Sequence, residues 1–161
     1  MRGSIAPVDP AAPVAGAVQR RRGHRRRAVD DARHAAVGGR RQDGAMDIDD
    51  ARRSALALPE VTERESWGQP AWFHRNLVGR MWDADRLTVR VEDDGERLAL
   101  VEQVPSLYST TDHHAGSNLV LIALDVVDAE TLHAHLAESW WWAAPPVLRR
   151  RYPHLGPPDE G

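Results

Sequence analysis

Leu87-Thr88-Val89-Arg90-Val91 alternates apolar and polar residues with a period of two. In a strand this sets Leu87, Val89 and Val91 toward a core and Thr88 and Arg90 toward the opposite face. Upstream, Gly79-Arg80-Met81-Trp82 reads as a neighbouring strand. Before it, Gly68 and Pro70 make a turn into a third strand over 71–75, where Trp72 and Phe73 suit a half-buried pleated surface. Three strands joined by tight turns form an antiparallel meander. Downstream, Glu92-Asp93-Asp94-Gly95 breaks the pattern. Leu98, Leu100 and Val101 then line a short helix over 96–104, closed by Pro105. Leu107–Thr111 is a further strand, 112–117 a loop, and Asn118–Val127 a central strand.

Helices flank this sheet in sequence. Ile48, Ala51, Ala55 and Leu58 recur at spacings of three and four behind Asp47, Asp49 and Asp50, whose carboxylates favour a helix N-terminus; Pro59 ends the helix. Asp128 caps a C-terminal helix over 129–143, with Leu132, Leu136, Trp140 and Ala143 on one stripe. Pro145-Pro146 stops or kinks it, and the tail from Arg149 to Gly161 is expected to fray. The order α-β-β-β-α-β-β-α predicts an α+β fold: an antiparallel sheet of about five strands with helices packed on one face.

The chain has 161 residues, room for one ordinary domain, and no cysteine, which excludes disulfides, zinc ribbons and thiol nucleophiles. Its longest aliphatic run is Leu119–Leu124, far short of the roughly 20 residues of a membrane span. A net charge of −3 conceals two halves: ten Arg against four Asp in residues 1–45 (+6), and eleven Arg against twenty Asp and Glu in 46–161 (−9). Residues 1–45, rich in Ala, Pro, Gly and Arg, cannot bury enough apolar area to order themselves, so a disordered extension is expected there. Its Arg20–Arg27 cluster could hold nucleic acid through phosphate contacts. That cluster follows the Ala/Val-rich stretch instead of preceding it, which disfavours an export signal, and a cytoplasmic protein is expected. Met46 stands where the composition changes and is the expected initiator, leaving 1–45 untranslated, 46–150 as the domain and 151–161 as a flexible tail.

Chemical motifs are sparse. There is no P-loop, no G-x-S-x-G elbow, no H-E-x-x-H and no dinucleotide fingerprint, so neither catalysis nor a cofactor is expected. His113 and His114 beside Asp112 are adjacent in sequence and face different directions, which disfavours a shared metal; one is expected to pack and the other to be solvated. His133 and His135, two apart on a helix, are expected at the surface. Trp67, Trp72 and Trp82 are expected in the core. Trp140-Trp141-Trp142 must point three ways, which makes them a candidate edge for a homodimer or a protein partner.

Four separated pieces carry a family resemblance: Leu56-Ala57-Leu58-Pro59-Glu60-Val61, Trp67-Gly68-Gln69-Pro70-Ala71-Trp72, His113-His114-Ala115-Gly116 and Leu119-Val120-Leu121. In this order they resemble the MmcQ/YjbR family from about Met46 to Arg150. The resemblance implies a compact fold similar to the frataxin-like CyaY domain and a role in DNA binding through a double-wing arrangement. Its motif residues here are Trp67, Gly68, Pro70, Trp72, Thr111, His113, His114 and Gly116. The chain departs from the family pattern at Asp112, in place of Pro, and at His114, in place of Tyr. The basic residue before the second-strand aromatic is kept as Arg80. A non-enzymatic DNA-binding protein follows as the expectation, with phosphate contacts from Arg75, Arg80, Arg90, Arg97, Arg149, Arg150 and the neighbouring Arg151. The alternative is a protein- or small-ligand-binding module using the Trp-rich helix and the Trp67, Trp72 and His113 region.

Overall fold

Asp47 begins the ordered elements by accepting from the N–H groups of Asp49 and Asp50, while the Asp50 carboxylate accepts from the Asp47 N–H at 3.0 Å. This reciprocal cap starts helix α1, Ile48–Leu56. The computed structural model describes residues 44–157. The expected extension with its Arg20–Arg27 cluster, like residues 158–161, lies outside the described residues. The remaining elements are β1 (Thr62–Ser66), β2 (Gln69–Phe73), β3 (Leu77–Met81), β4 (Arg86–Arg90), α2 (Asp94–Gln103), β5 (Tyr108–Ser109), a 3-10 turn (Asp112–His114), β6 (Leu119–Ala123), α3 (Ala129–Ala143), α4 (Pro146–Arg151) and a second 3-10 turn (Pro153–Leu155).

The six strands form one sheet in the order β1-β2-β3-β4-β6-β5, antiparallel throughout. The α+β class and the meander are as the sequence predicts, with one strand more. The additional strand is β1, whose sequence Thr-Glu-Arg-Glu-Ser holds no apolar residue and therefore gives no burial alternation to read. It is an edge strand set by its turn: Ser66 pairs with Gln69, and Trp67 and Gly68 between them both have positive φ (53° and 76°). Two such residues make the type I′ connection that matches strand twist. β6 is shorter than expected because the Ala123 carbonyl turns to accept from the N–H groups of Val126 and Val127.

Cross-strand register assigns each side chain to a face. Glu63, Trp72, Gly79, Val89 and Val120 lie in one row, and Tyr108, Ile122 and Leu87 in a neighbouring one. The core gathers on this face, where Trp72, Met81, Leu87, Val89 and Ile122 join Ala51 and Ala55 of α1, Leu100 and Val104 at α2, and Leu132, Leu136 and Trp140 of α3. Gly79 lets α3 approach closely, since a Cβ there would stand 3.1 Å from the Leu136 methyl. Where β3 and β4 part, the Ser139 hydroxyl of α3 accepts from the Arg90 N–H at 2.8 Å and donates to the Val78 carbonyl.

Several helix residues differ from expectation. His135 is buried and bonded to the Tyr108 hydroxyl at 2.6 Å, because positions 132, 135, 136, 139, 140 and 143 form one continuous stripe of α3; His133 is exposed. On α2 the inward stripe runs through Arg97 and Leu100, leaving Leu98 at 51% exposure. From Arg149 the chain continues through α4 into the second 3-10 turn, Pro153–Leu155. Pro146 starts α4, Leu148 is buried, the Tyr152 ring meets Trp140 edge-on, and Arg151 pairs with Glu60 at 3.0 Å. A proline at the first helical position is preorganised for a helix, so this Pro-Pro pair ends one helix and begins the next.

Candidate functional site

The helix-free face of the sheet carries the other row of the register: Arg64 (β1), Ala71 (β2), Arg80 (β3), Thr88 (β4), Leu121 (β6) and Ser109 (β5). Thr88 and Leu121 are nonetheless buried there. Trp82 follows Met81, so alternation turns its ring to this face. Its centroid is 4.9 Å from that of His114 and 6.0 Å from that of His113. Three strand spacings of about 4.8 Å separate β3 from β5. For the rings to come this close, Trp82 and the 3-10 turn must reach toward each other above β4 and β6.

His114 is buried and His113 exposed, the division that the sequence predicts for this pair. The Thr111 hydroxyl meets His114 Nδ1 at 3.3 Å. Burial depresses the His114 pKa, and the nearby His113, Arg97 and Arg80 depress it further. Gly116, at φ 73°, lets the chain turn out of this loop into β6.

Arg80 binds the hairpin tip. Its Nε donates to the Ser66 carbonyl at 2.9 Å and an Nη to the Trp67 carbonyl at 3.3 Å, while its guanidinium carbon lies 5.9 Å from the Trp82 ring centroid. Both hydrogen-bond acceptors are neutral, so the charge of Arg80 is not cancelled. Arg64 lies over the Phe73 ring at 3.8 Å on the same face. Among the described residues neither Arg64 nor Arg80 forms an ion pair with a carboxylate. Glu63 points to the helix side, where Arg52 and then the Trp72 Nε1–H hold its carboxyl below the ordinary range. Trp67 at the tip is 92% exposed, which corrects the expectation of a core residue; both central positions of a type I′ turn project away from the sheet.

The other expected phosphate contacts disperse. Arg97 is 4% exposed and is consumed by Asp94, the Thr110 hydroxyl and the Ser117 carbonyl, so it ties α2 to the loops and cannot reach a ligand. Arg90 is half-buried, with one Nη on Asn118 Oδ1 at 3.2 Å. Arg149 caps the C-terminus of α3 through the Ala144 and Trp142 carbonyls. Arg151 is engaged with Glu60. Arg75 is exposed in the β2–β3 loop, whose His74 and Asn76 dock on the Trp140 and Ala143 carbonyls at the far end of the sheet from Trp67, and Arg150 is exposed on α4. The six therefore do not converge on one surface.

Of the expected Trp-rich partner edge, Trp140 does not reach the surface. Trp140 is fully buried with its Nε1–H on the Pro59 carbonyl, and Trp72 is fully buried. Trp141 and Trp142 are half-buried beside the Arg149 guanidinium, and Gly156 packs against the Trp141 ring. Sequence reasoning missed Arg64, which belongs to the unrecognised strand. The available signal was the two-residue Trp67-Gly68 turn, which obliges a strand on both sides.

Beside the tip, Glu63–Glu65 and Gly68–Pro70 line a shallow, open depression of about 340 Å³. Among the described residues no helix is long and apolar enough to cross a membrane, and no group of three or more His, Asp or Glu is placed to hold a metal ion.

Uncharacterised proteins of Mycobacterium bovis and Mycobacterium tuberculosis are 36% identical to this chain over 64 residues, 40% of this chain and 50% of theirs. The chain thus spans about half the length of the curated relatives it matches. No solved structure matches it significantly. The YjbR family model matches residues 56–142, more than half of the chain and the stretch from the end of α1 to the end of α3. With the hairpin, the His113-His114 loop and the six-stranded sheet all within those bounds, the chain belongs to the YjbR family, the MmcQ/YjbR group that its motifs resemble.

Proposed function

We propose that this chain is a non-enzymatic DNA-binding protein that receives the phosphate backbone on the helix-free face of its sheet, at Arg64 and Arg80. The observation that carries this reading is the segregation of charge at the hairpin: two arginines two strands apart on one face, neither paired with a carboxylate among the described residues, with Glu63 turned to the other side. Such a pair offers phosphate a local positive surface despite the acidic domain. Absence of catalysis is part of the proposal. The Tyr108–His135 pair is enclosed in the core, and the depression at the hairpin is too open to exclude water from a reaction.

The test is fluorescence anisotropy of a labelled duplex titrated with the full chain between about 50 and 200 mM salt. Affinity should fall steeply with salt, and Arg64→Ala should weaken binding and reduce the salt slope by about one. The Arg20–Arg27 segment contributes equally to both proteins, so the difference reports on the folded surface. No binding at the lowest salt, or identical curves for the wild type, Arg64→Ala and Arg64→Glu, would overturn the reading.

A further inference from the structure

We infer that Trp67 is a base-stacking finger that directs this surface to single-stranded nucleic acid, where unpaired bases are accessible. The inference rests on the nucleic-acid reading above and adds a preference that phosphate contacts alone cannot supply. Trp67 breaks two local rules at once. It occupies the left-handed region at φ 53°, where Asn, Asp and Gly are favoured in a type I′ turn, and it exposes 92% of its surface. Among the described residues the indole makes no hydrogen bond or ring contact that offsets either departure, and an outlier of this kind points to a use outside the fold.

The surroundings define what the indole can meet. Arg80 grips the carbonyls on both sides of the first turn position, Ser66 and Trp67, so the finger has a fixed base and a free ring. Its neighbours in the hairpin are Ser66, Gly68 and Gln69, with Arg64 and Arg80 behind them on the helix-free face. An apolar protein pocket would have to desolvate these polar groups and cations to swallow the ring. A nucleic-acid strand matches the set: its phosphates answer the arginines and its bases present flat π-faces to the indole. In a duplex those faces are already stacked, and a side chain reaches them only by wedging a base step apart. Unpaired bases stack without that cost.

The experiment titrates the full chain, Trp67→Asn and Trp67→Phe into three labelled probes: oligothymidylate and oligouridylate of about 15 nucleotides and a duplex of the same length. Asn suits the turn better than Trp, and urea unfolding of each variant confirms that it folds. The expected result is tighter binding of the single strands than of the duplex, with Trp67→Asn losing about ten-fold or more on single strands and less than about two-fold on the duplex. Trp67→Phe, which keeps a stacking ring, should retain most of the affinity. A difference between the two single strands identifies DNA or RNA as the source; equal binding assigns recognition to stacking without readout of the sugar. If Trp67→Asn binds single strands as the wild type does while the duplex still binds through Arg64, the finger is refuted and the phosphate-binding reading survives. If no oligonucleotide binds, both fail. Trp67-dependent binding to phosphatidylglycerol vesicles in place of oligonucleotides would overturn the inference in favour of a lipid surface.

Discussion

His114 shows how one residue's surroundings decide its chemistry. Beneath Trp82, it resists protonation, first because it is desolvated and then because a positive charge on it would be unfavourable beside His113, Arg97 and Arg80. His74, enclosed against the Trp140 ring, is depressed by burial as well. In the unfolded chain both titrate near 6.5. Between their folded pKa values and about 6.5 the unfolded state binds protons that the folded state refuses, so stability rises with pH across that window. The contribution is complete above about 6.5 and is lost as pH falls toward the folded values. We predict a melting temperature that drops between about pH 7 and about pH 5, less steeply in His114→Gln, and flattest in His74→Gln with His114→Gln. An equal slope in the wild type and the double variant would contradict this. His113 and His114 were legible as a pair with divided roles, since adjacent residues face different directions. His135 was not, because its place on the α3 stripe shows only when the spacing is followed through polar positions as well as apolar ones.

Among the described residues Trp67 in the β1–β2 hairpin and Glu60 before it are the non-glycine residues with positive φ, and the hairpin carries most of the candidate function. Gly68 meets the positive φ of its position without cost, whereas Trp67 does not. Trp67→Asn should therefore raise stability by about 0.5–1 kcal/mol, read as a higher urea midpoint at unchanged slope. A gain in stability together with a loss of single-strand affinity is the mark of a residue kept for binding; a loss of stability would show that the indole supports the fold. The strand before the turn escaped sequence reading for a physical reason. β1 buries nothing and is held by its ladder to β2, so its information resides in the turn and in the partner strand. β4 and α3 were legible because each buries one face and displays the period of that burial.

At the scale of the whole molecule, the sheet has two edges and protects both. β5 is two residues long, and β1 is charged along its length. If two copies met antiparallel along β1 with their faces matched, Arg64 would stand opposite Arg64 and Glu63 opposite Glu65, and like charges facing each other across a ladder are repulsive. Replacing Arg64 and Glu65 together by Thr should remove the barrier and produce concentration-dependent association in light scattering, with the wild type as the reference; unchanged scattering would show that something other than charge guards this edge. The candidate site was less legible than the fold for a related reason. Arg80 and Arg97 are alike in sequence, but one holds carbonyls 13 and 14 residues away on an exposed hairpin, and the other is buried against Asp94, Thr110 and Ser117. An arginine's availability depends on long-range partners that local pattern does not encode.

Arg80 also sits where two otherwise separate pieces of the chain meet. One side of its guanidinium fastens Ser66 and Trp67, and the other lies near the Trp82 ring that rests on His114. A ligand phosphate competing for those N–H groups would slacken the fastening just as it arrives. Occupancy would then register twice, as freer motion at residue 67 and as a changed magnetic environment for the imidazole at 114, which would make that imidazole a reporter some distance from the point of contact.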